Sequence, residues 1–284
     1  MGYTPILSLP TPSLFGLYFI EMISVLKRAK FSGIELFLFH YVLKRLEKYQ
    51  AIARDAQMRL SLHQPWSYGE GALPLNRLLD LVGYLPRDDY TIESLVREGK
   101  GELFVAYCDR HAEIAQLEQA GCPVDLAFQT ACAWNGAAEE RTHRMRYSEF
   151  VDHILPTKTP IVFDTFHVIE WRKNKPGGKA FAAYSENQLA DELLRAWYEI
   201  GAERVVEIHW NDFIVNSTRG GGSDGRACLP GNGALAKGLR VLAQELKRDG
   251  WRGPIVPELS PFLIFPYTER KLSAVRERME NFFA

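Results

Sequence analysis

The 284-residue sequence lacks the motifs that mark several large classes of protein. It has four cysteines, and none of them forms a CxxC pair, so the sequence indicates neither a structural zinc site nor a redox dithiol. Four cysteines are also few for a disulfide scaffold, which favours a reducing compartment. No GxGxxG, P-loop or GxSxG motif is present. The sequence therefore offers no dinucleotide-binding, P-loop or serine-hydrolase signature.

The chain also has little excess charge and no long apolar run. Its formal net charge of -1 at pH 7 gives no electrostatic footprint for nucleic acid or anionic lipid. No segment approaches the roughly 18 apolar residues that a membrane span needs. The first residues lack a basic segment, and Pro5, Pro10 and Pro12 would interrupt a signal helix. We expect a cytoplasmic protein that binds a small molecule and neither nucleic acid nor a membrane. Whether identical chains associate stays open.

Short apolar runs alternate with longer amphipathic segments along the chain. This alternation is typical of βα units around a parallel sheet. Eight such runs suit a closed barrel better than an open doubly wound sheet, and barrels of this kind have about 250 residues. We predict an α/β fold, a single (β/α)8 TIM barrel that takes up residues 1–284. The predicted strands are Pro5–Leu9, Ile34–Phe39, Leu60–Gln64, Leu103–Tyr107, Asp125–Gln129, Ile161–Asp164, Arg204–His209 and Ile255–Leu259.

Helices are predicted between these strands, with unequal clarity. Leu73–Leu95 is a weaker candidate, and Asp109–Ala120 is predicted as a short helix. Two glycine-rich loops, Lys173–Ser185 and Ser217–Gly225, follow predicted strands and would lie on the active-site face, either as lids or as plain surface loops. The segments with clear helical spacing are Leu14–Lys30, Glu186–Ile200, Lys237–Asp249 and Thr268–Phe283.

Polar side chains recur at the carboxyl ends of the predicted strands. An ionisable residue in a strand that is buried on both faces is costly unless it is paired or bound to a metal. A barrel brings the carboxyl ends of its strands together at one end of its axis, where enzymes of this fold carry their chemistry. The six residues in this position are Glu35, His63, Gln129, Asp164, His209 and Glu258.

Short motifs around these residues carry a family resemblance. The sequence has Asp164-Thr165-Phe166-His167 after the sixth strand and His209-Trp210-Asn211-Asp212 after the seventh. Pro257-Glu258-Leu259 closes the eighth. In order and spacing, these motifs resemble the xylose-isomerase-like superfamily of sugar isomerases, epimerases and related metal-dependent barrels. The resemblance begins at Ser32-Gly33-Ile34-Glu35-Leu36 and covers most of the chain.

The resemblance implies one divalent metal per chain (Mn, Mg, Co or Zn), held by the ends of strands five to eight. Asp164, His209 and Glu258 match three ligand positions. Gln129 stands where the family usually has glutamate, and its carbonyl oxygen is a hard donor suited to Mg or Mn. Because an amide cannot accept a proton at neutral pH, Gln129 argues against the epimerase mechanism in which two glutamates face one carbon.

The resemblance also implies roles for residues around the metal. Glu258 is the expected base and His167 the expected hydrogen-bond partner of the substrate, and these two are the predicted catalytic residues. For His63 and His167, a structural role is the alternative. Glu207, which points to the same side of its strand as His209, would either accept a hydrogen bond from a ligand N–H or pair with Arg204. The predicted substrate-binding residues are His63, Arg226, Trp66, Trp210 and Glu35.

Three functions remain open at this stage. A metal with a single base suits isomerisation of a small sugar, sugar derivative or polyol by enolisation, with epimerisation as a variant. A lyase or dehydratase on the same barrel is the close rival, and a barrel that only binds a ligand is the third. The three-metal apurinic endonucleases are disfavoured, since Val105-Ala106-Tyr107-Cys108 lacks their strand-four histidine and no Asp-x-His precedes Gly231-Asn232-Gly233.

Overall fold

The eight predicted apolar runs form strands that close into one parallel barrel, which confirms the predicted fold. The computed structural model describes residues 5–14, 17–38, 42, 44–64, 101–107, 126–130, 147–173, 183–215, 225–259 and 261–284. The strands, in chain order, are β1 (Ile6–Pro10), β2 (Gly33–Phe37), β3 (Arg59–His63), β4 (Leu103–Tyr107), β5 (Leu126–Gln129), β6 (Ile161–Asp164), β7 (Val205–His209), β8 (Asp212–Val215), β9 (Gly225–Cys228) and β10 (Pro254–Val256).

Barrel strands pair in chain order, and β10 closes the ring between β7 and β1. Every residue of β2, β5 and β6 is buried, because one face of a barrel strand meets the interior and the other meets the helices. The strands approach each other closely at Gly33, where a side-chain carbon would meet Ser8 Oγ and the Arg59 carbonyl. The last strand ends at Val256, so Glu258 lies two residues beyond it rather than inside it as predicted.

Helices cover the outside of the barrel. Glu186–Ile200 has the predicted bounds, whereas the first helix is shorter than predicted. It begins after Tyr18, whose N–H donates to Glu21 at 2.8 Å, and it ends before Lys30, whose φ is 61°. The described helices are α1 (Phe19–Arg28), α2 (Leu46–Asp55), α3 (Tyr147–Glu149), α4 (Thr165–Lys173), α5 (Glu186–Ile200), α6 (Ala236–Arg248), α7 (Pro261–Ile264) and α8 (Glu269–Phe282), with a π-helix at Phe150–Ile154.

Several predictions fall on parts of the chain that the structure does not describe. The segments Leu73–Leu95 and Asp109–Ala120 lie outside the described residues, as do most of the loops Lys173–Ser185 and Ser217–Gly225. Among the helices that are described, none combines the length and apolar character needed to cross a membrane.

An antiparallel hairpin, β8 with β9, stands beyond the end of β7 and was not predicted. Its base is held by the Asp212 carboxylate, which accepts the backbone N–H groups of Phe213, Gly231, Gly233 and Leu235 at 2.8–2.9 Å. Gly233 approaches so closely that a side-chain carbon would collide with the Phe213 carbonyl. The hairpin is therefore fixed to the turn that leads into α6.

Trp210 corrects one predicted site residue. Its side chain is fully buried and packs against Phe282 and Phe283 at the carboxyl end of α8, with ring centroids 5.5 and 5.6 Å away. Successive side chains at a strand end point to opposite sides, so Trp210 faces the helix layer because His209 faces the interior. It belongs to the core between barrel and helix rather than to the predicted substrate pocket.

Candidate metal and active site

The six polar residues predicted at the strand ends converge at one end of the barrel. The side chains of Glu35, His63, Asp164 and His209 are fully buried, and Gln129 is 2% exposed. Glu258 differs from them, since its side chain is 23% exposed. The cluster therefore has one partly open side, and Glu258 lies on it.

Three of these residues direct donor atoms at a common point. Asp164, His209 and Glu258 each offer one ligand atom, and these atoms lie within 4.8 Å of one another. His209 Nδ1 is 3.6 Å from Asp164 Oδ2 and 3.4 Å from Glu258 Oε1. Ligand atoms about 2.1 Å from a dication are about 3.0–3.4 Å apart in octahedral or tetrahedral geometry. The donors are thus spaced nearly as a coordination shell requires.

Asn211 joins the two carboxylates of this group. Its Nδ2 donates to Asp164 Oδ2 at 3.0 Å and to Glu258 Oε2 at 2.7 Å, and its Oδ1 accepts the N–H of Glu258 at 3.2 Å. Thr165 Oγ1 in turn accepts the N–H of Asn211 at 2.8 Å. No role was assigned to Asn211 from the sequence. The signal was available, because a residue two positions after His209 lies on the same side of the chain.

His209 is oriented by the carboxylates behind it. Its Nε2 is 3.0 Å from Glu35 Oε2 and 3.4 Å from Glu207 Oε1. His209 Nε2 therefore faces Glu35 and Glu207, and its Nδ1 faces Asp164 and Glu258. Histidines that bind metals usually have such a partner on the other nitrogen. The sequence predicted Glu207 as the hydrogen-bond acceptor of a ligand N–H, but Glu35 lies closer to His209 Nε2 than Glu207 does.

These buried charges shift one another's protonation. Burial raises the pKa of Glu35 to about 8, although the charge of His209 opposes this. Burial lowers the pKa of His209, but the attraction of Glu35 and Glu258 outweighs it and holds that pKa well above its ordinary value. Burial raises the pKa of Asp164, yet the neighbouring His167 and His209 reverse this and bring it to about 2. The cluster is therefore built to hold positive charge between carboxylates.

Gln129, predicted as the fourth metal ligand, lies between the cluster and His63. Its Nε2 is 3.0 Å from both Asp164 Oδ2 and His209 Nδ1, and its Oε1 is 2.9 Å from His63 Nε2. The His63 ring stacks on Phe37 at 4.1 Å, and burial lowers its pKa to about 3, so His63 is neutral. Glu35 and His63 thus lie behind His209 and Gln129, and their predicted contact with substrate stays a prediction.

His167 is positioned by a helix that starts where β6 ends. Asp164 Oδ1 accepts the N–H groups of Phe166 and His167 at 2.9 and 2.8 Å, which caps α4. His167 Nδ1 is 3.1 Å from Glu170 Oε2. Burial lowers the pKa of His167, but Asp164 and Glu170 outweigh this and raise it to about 9. A cation therefore stands beside the carboxylates at neutral pH.

A second polar network anchors the far end of α4. Arg172 donates to Glu192 at 2.5 Å, to Glu199 at 2.7 Å and to the Tyr147 hydroxyl at 2.8 Å. Glu192 and Glu199 belong to α5, so the helix that carries His167 is tied to the outer helix layer at one end and to Asp164 at the other. The sequence gave no signal for this network.

Two predicted substrate-binding residues have no described side chain. Trp66 lies outside the described residues, and the side chain of Arg226 on β9 is likewise outside them. Their predicted roles stay predictions.

Comparison with known proteins supports the architecture. No protein-family model and no curated protein matches the sequence. Solved structures do match over nearly the whole chain. A xylose isomerase domain protein from Alicyclobacillus acidocaldarius is 17% identical, with 98% of this chain and 97% of that chain covered and a TM-score of 0.55. The fold is that of the xylose-isomerase-like TIM barrels.

Two further structures share this fold. IolI, whose structure holds a bound zinc atom, is 11% identical, with both chains fully covered and a TM-score of 0.57. The probable 3-DHS dehydratase AsbF from Bacillus anthracis is 12% identical, with 97% and 98% covered and a TM-score of 0.53. At these identities the likeness concerns the fold, so any function must be argued from the site.

Proposed function

We propose that this chain is a divalent-metal-dependent isomerase of a small sugar, sugar derivative or polyol, and that Asp164, His209, Glu258 and Gln129 hold the metal. The observation that carries the proposal is the spacing of the donor atoms of Asp164 and Glu258, which lie 3.6 and 3.4 Å from His209 Nδ1. Oxygen and imidazole donors of this kind suit Mn, Mg, Co or Zn, one ion per chain. IolI, which has the same fold, binds zinc.

The bound cation would polarise a carbonyl or hydroxyl oxygen of the substrate. The remaining chemistry falls to the side chains. Glu258 is the carboxylate of this group that is partly exposed, and burial raises its pKa, which suits a base that takes a proton from carbon. Asn211 holds Glu258 Oε2 at 2.7 Å and so fixes the direction of the carboxylate.

His167 complements this base as a cation. With its pKa raised to about 9, it carries a proton at neutral pH and can donate to a substrate oxygen. Enolisation needs both functions, because the proton leaves carbon while negative charge builds on the adjacent oxygen. Glu258 and His167 are therefore the residues we expect to carry the reaction.

Gln129 favours isomerisation over epimerisation. Inversion at one carbon by two bases needs a second proton acceptor facing Glu258, and an amide cannot serve as one. A single base can remove a proton from one carbon and return it to the next on the same face. We therefore expect interconversion of an aldose-type and a ketose-type compound.

A lyase is the second candidate. If the substrate carries a leaving hydroxyl next to the enolised carbon, Glu258 removes the proton and His167 protonates the departing oxygen. The lack of a second base at Gln129 suits this reaction equally well, and the probable dehydratase AsbF has the same fold. A barrel that only binds a ligand is the third outcome of the test below.

The test is a screen of sugars, polyols and hydroxy acids in D2O with protein reloaded with Mn, Mg, Co or Zn. Isomerase activity would appear as deuterium at the carbon next to the carbonyl, by proton NMR. A conjugated product with new ultraviolet absorbance would identify a dehydratase instead. Glu258→Gln should abolish either signal, whereas Glu203→Gln, at an exposed carboxylate, should leave it unchanged. Metal and ligand bound without turnover would contradict the enzymatic proposal.

A further inference from the structure

The Gln129 amide lies between His63 and the cluster of Asp164 and His209, and its contact with His63 decides which end of the amide faces that cluster. On one side, its Oε1 faces His63 Nε2 at 2.9 Å. His63 Nδ1 is 2.5 Å from the Gln64 carbonyl, which can only accept, so the single proton of the neutral ring is on Nδ1. His63 Nε2 is then an acceptor that faces another acceptor.

Turning the amide by half a turn removes this conflict. The oxygen and nitrogen ends of an amide have nearly the same shape, so either orientation fits the space. In the turned orientation, Gln129 Nε2 donates to His63 Nε2. Its Oε1 then faces His209 Nδ1 and Asp164 Oδ2, both about 3.0 Å away. A cation held by those two atoms would gain the Gln129 oxygen as a further ligand.

We infer that His63 is the positioning residue that directs the Gln129 carbonyl oxygen toward the metal. The inference rests on the proposed metal site and deepens it. A carboxylate at strand five would need no such partner, since both of its ends are oxygens. An amide does need one, and the hydrogen-bonded pair of Gln64 carbonyl and His63 ring supplies it from β3.

The arrangement accounts for how the site can keep four ligands with only two carboxylates among them. Asp164 and Glu258 carry the two negative charges that a dication requires, and Gln129 adds a neutral oxygen. The stack of His63 on Phe37, with an interplanar angle of 7°, fixes the ring plane. His63 is therefore placed to act on the metal through Gln129, without touching the metal itself.

The experiment is a double-mutant comparison of metal affinity in the full chain. Mn binding is measured by titration calorimetry for the wild type, His63→Phe, Gln129→Glu and the double variant. Phe keeps the aromatic stack on Phe37 but removes the acceptor. We expect His63→Phe to weaken Mn binding about 10-fold in the wild-type background, as loss of a residue that orients a ligand typically does. In the Gln129→Glu background it should change affinity less than about twofold, because a carboxylate needs no orientation.

Equal losses in the two backgrounds would overturn the inference, since they would mean that His63 supports only the general structure. Thermal unfolding of each metal-free variant checks that it folds. A crystal structure of the Mn-loaded wild type gives an independent reading, with Oε1 of Gln129 about 2.2 Å from the metal as the expected result. An amide nitrogen facing the metal would overturn the inference.

The same measurements separate this inference from the proposed function. A wild type that binds no Mn would overturn both the metal site and the role of His63. A wild type that binds Mn with the expected coupling, but turns over no substrate in the screen, would support the role of His63 and contradict the isomerase alone.

Discussion

Two layers of polar residues, one on each side of His209, contain similar residue types but differ in their exposure to solvent. Behind it, an inner layer of Glu35, Glu207 and His63 is fully buried. In front of it, an outer layer of Asp164, Asn211 and Glu258 reaches the partly open side of the cluster. A carboxylate in the inner layer can fix a tautomer and a charge but not meet a substrate. Burial, rather than residue type, therefore decides which carboxylate can act as a base.

The largest expected effect is in the outer layer, at Glu258. Glu258→Gln keeps an oxygen and the size of the side chain but removes the base. We expect turnover to fall about 10²–10⁴-fold, the usual contribution of a general base. The measurement is steady-state turnover of the substrate found in the screen, with metal content determined in parallel. Turnover within threefold of the wild type would show that another group removes the proton.

A second outer-layer test separates two roles of Asp164. Asp164→Ala removes both the proposed metal ligand and the cap of α4, whereas Asp164→Asn keeps an acceptor for the N–H groups of Phe166 and His167. We expect both variants to lose at least about 100-fold in metal affinity, as a directly bound ligand should cost more than its partners do. Only the alanine variant should also lose about 1 kcal/mol of unfolding free energy in urea. Equal stability of the two variants would contradict the capping role.

The inner layer should give smaller effects, and it offers a matched pair. Glu35→Gln and Glu207→Gln both replace a buried carboxylate, but His209 Nε2 is 3.0 Å from Glu35 and 3.4 Å from Glu207. We expect Glu35→Gln to weaken metal binding about 10-fold and Glu207→Gln to weaken it less. Calorimetric titration with Mn checks this. The reverse order would assign the orientation of His209 to Glu207, as the sequence alone suggested.

The smallest expected effect is a pH dependence of stability from His167. Its pKa is about 9 in the folded chain and near the ordinary 6.5 when unfolded, so its protonated form favours folding. This contribution is complete below pH 6.5 and is lost as the pH rises toward 9. We expect metal-free protein to lose about 1–2 kcal/mol of unfolding free energy over that range, less than the full pKa change would give, because the His167 side chain is partly exposed and solvent screens its ion pairs. Urea unfolding at several pH values measures it, and His167→Gln should reduce the slope but not abolish it, because Glu35, with a folded pKa of about 8, also titrates there.

Much of this architecture could be predicted from local pattern. Barrel strands such as Ile161–Asp164 are short apolar runs with a polar end. The helix Glu186–Ile200 has one apolar face and a Ser185 cap. The bounds of both elements could therefore be predicted from the sequence. Helix α4 was missed because its buried face has helical spacing but is polar at two of its four described positions, which are Thr165, Val168, Ile169 and Arg172. The helix begins after Asp164, whose side chain caps it, but the sequence predicted Asp164 only as a metal ligand.

The sequence predicted which residues form the site, but not which of them contact each other. Period-two alternation places Glu207 and His209 on one side of β7, yet it carries no information about β2, which lies across the barrel. Glu35 and His209 are 174 positions apart in the chain, so their contact depends on the closed barrel. Alternation was sufficient to place Trp210 outside the pocket, because its neighbour His209 faces inward.

The two oxygens of the Asp164 carboxylate have different partners, and this connects two parts of the site. One of its oxygens holds the first turn of α4, and the other faces the position proposed for the cation. A single rigid group of atoms therefore links the cation position to the backbone that carries His167. Any rotation of Asp164 on metal loading would also move that first turn, so the position of His167 and the occupancy of the proposed metal site are coupled through one side chain.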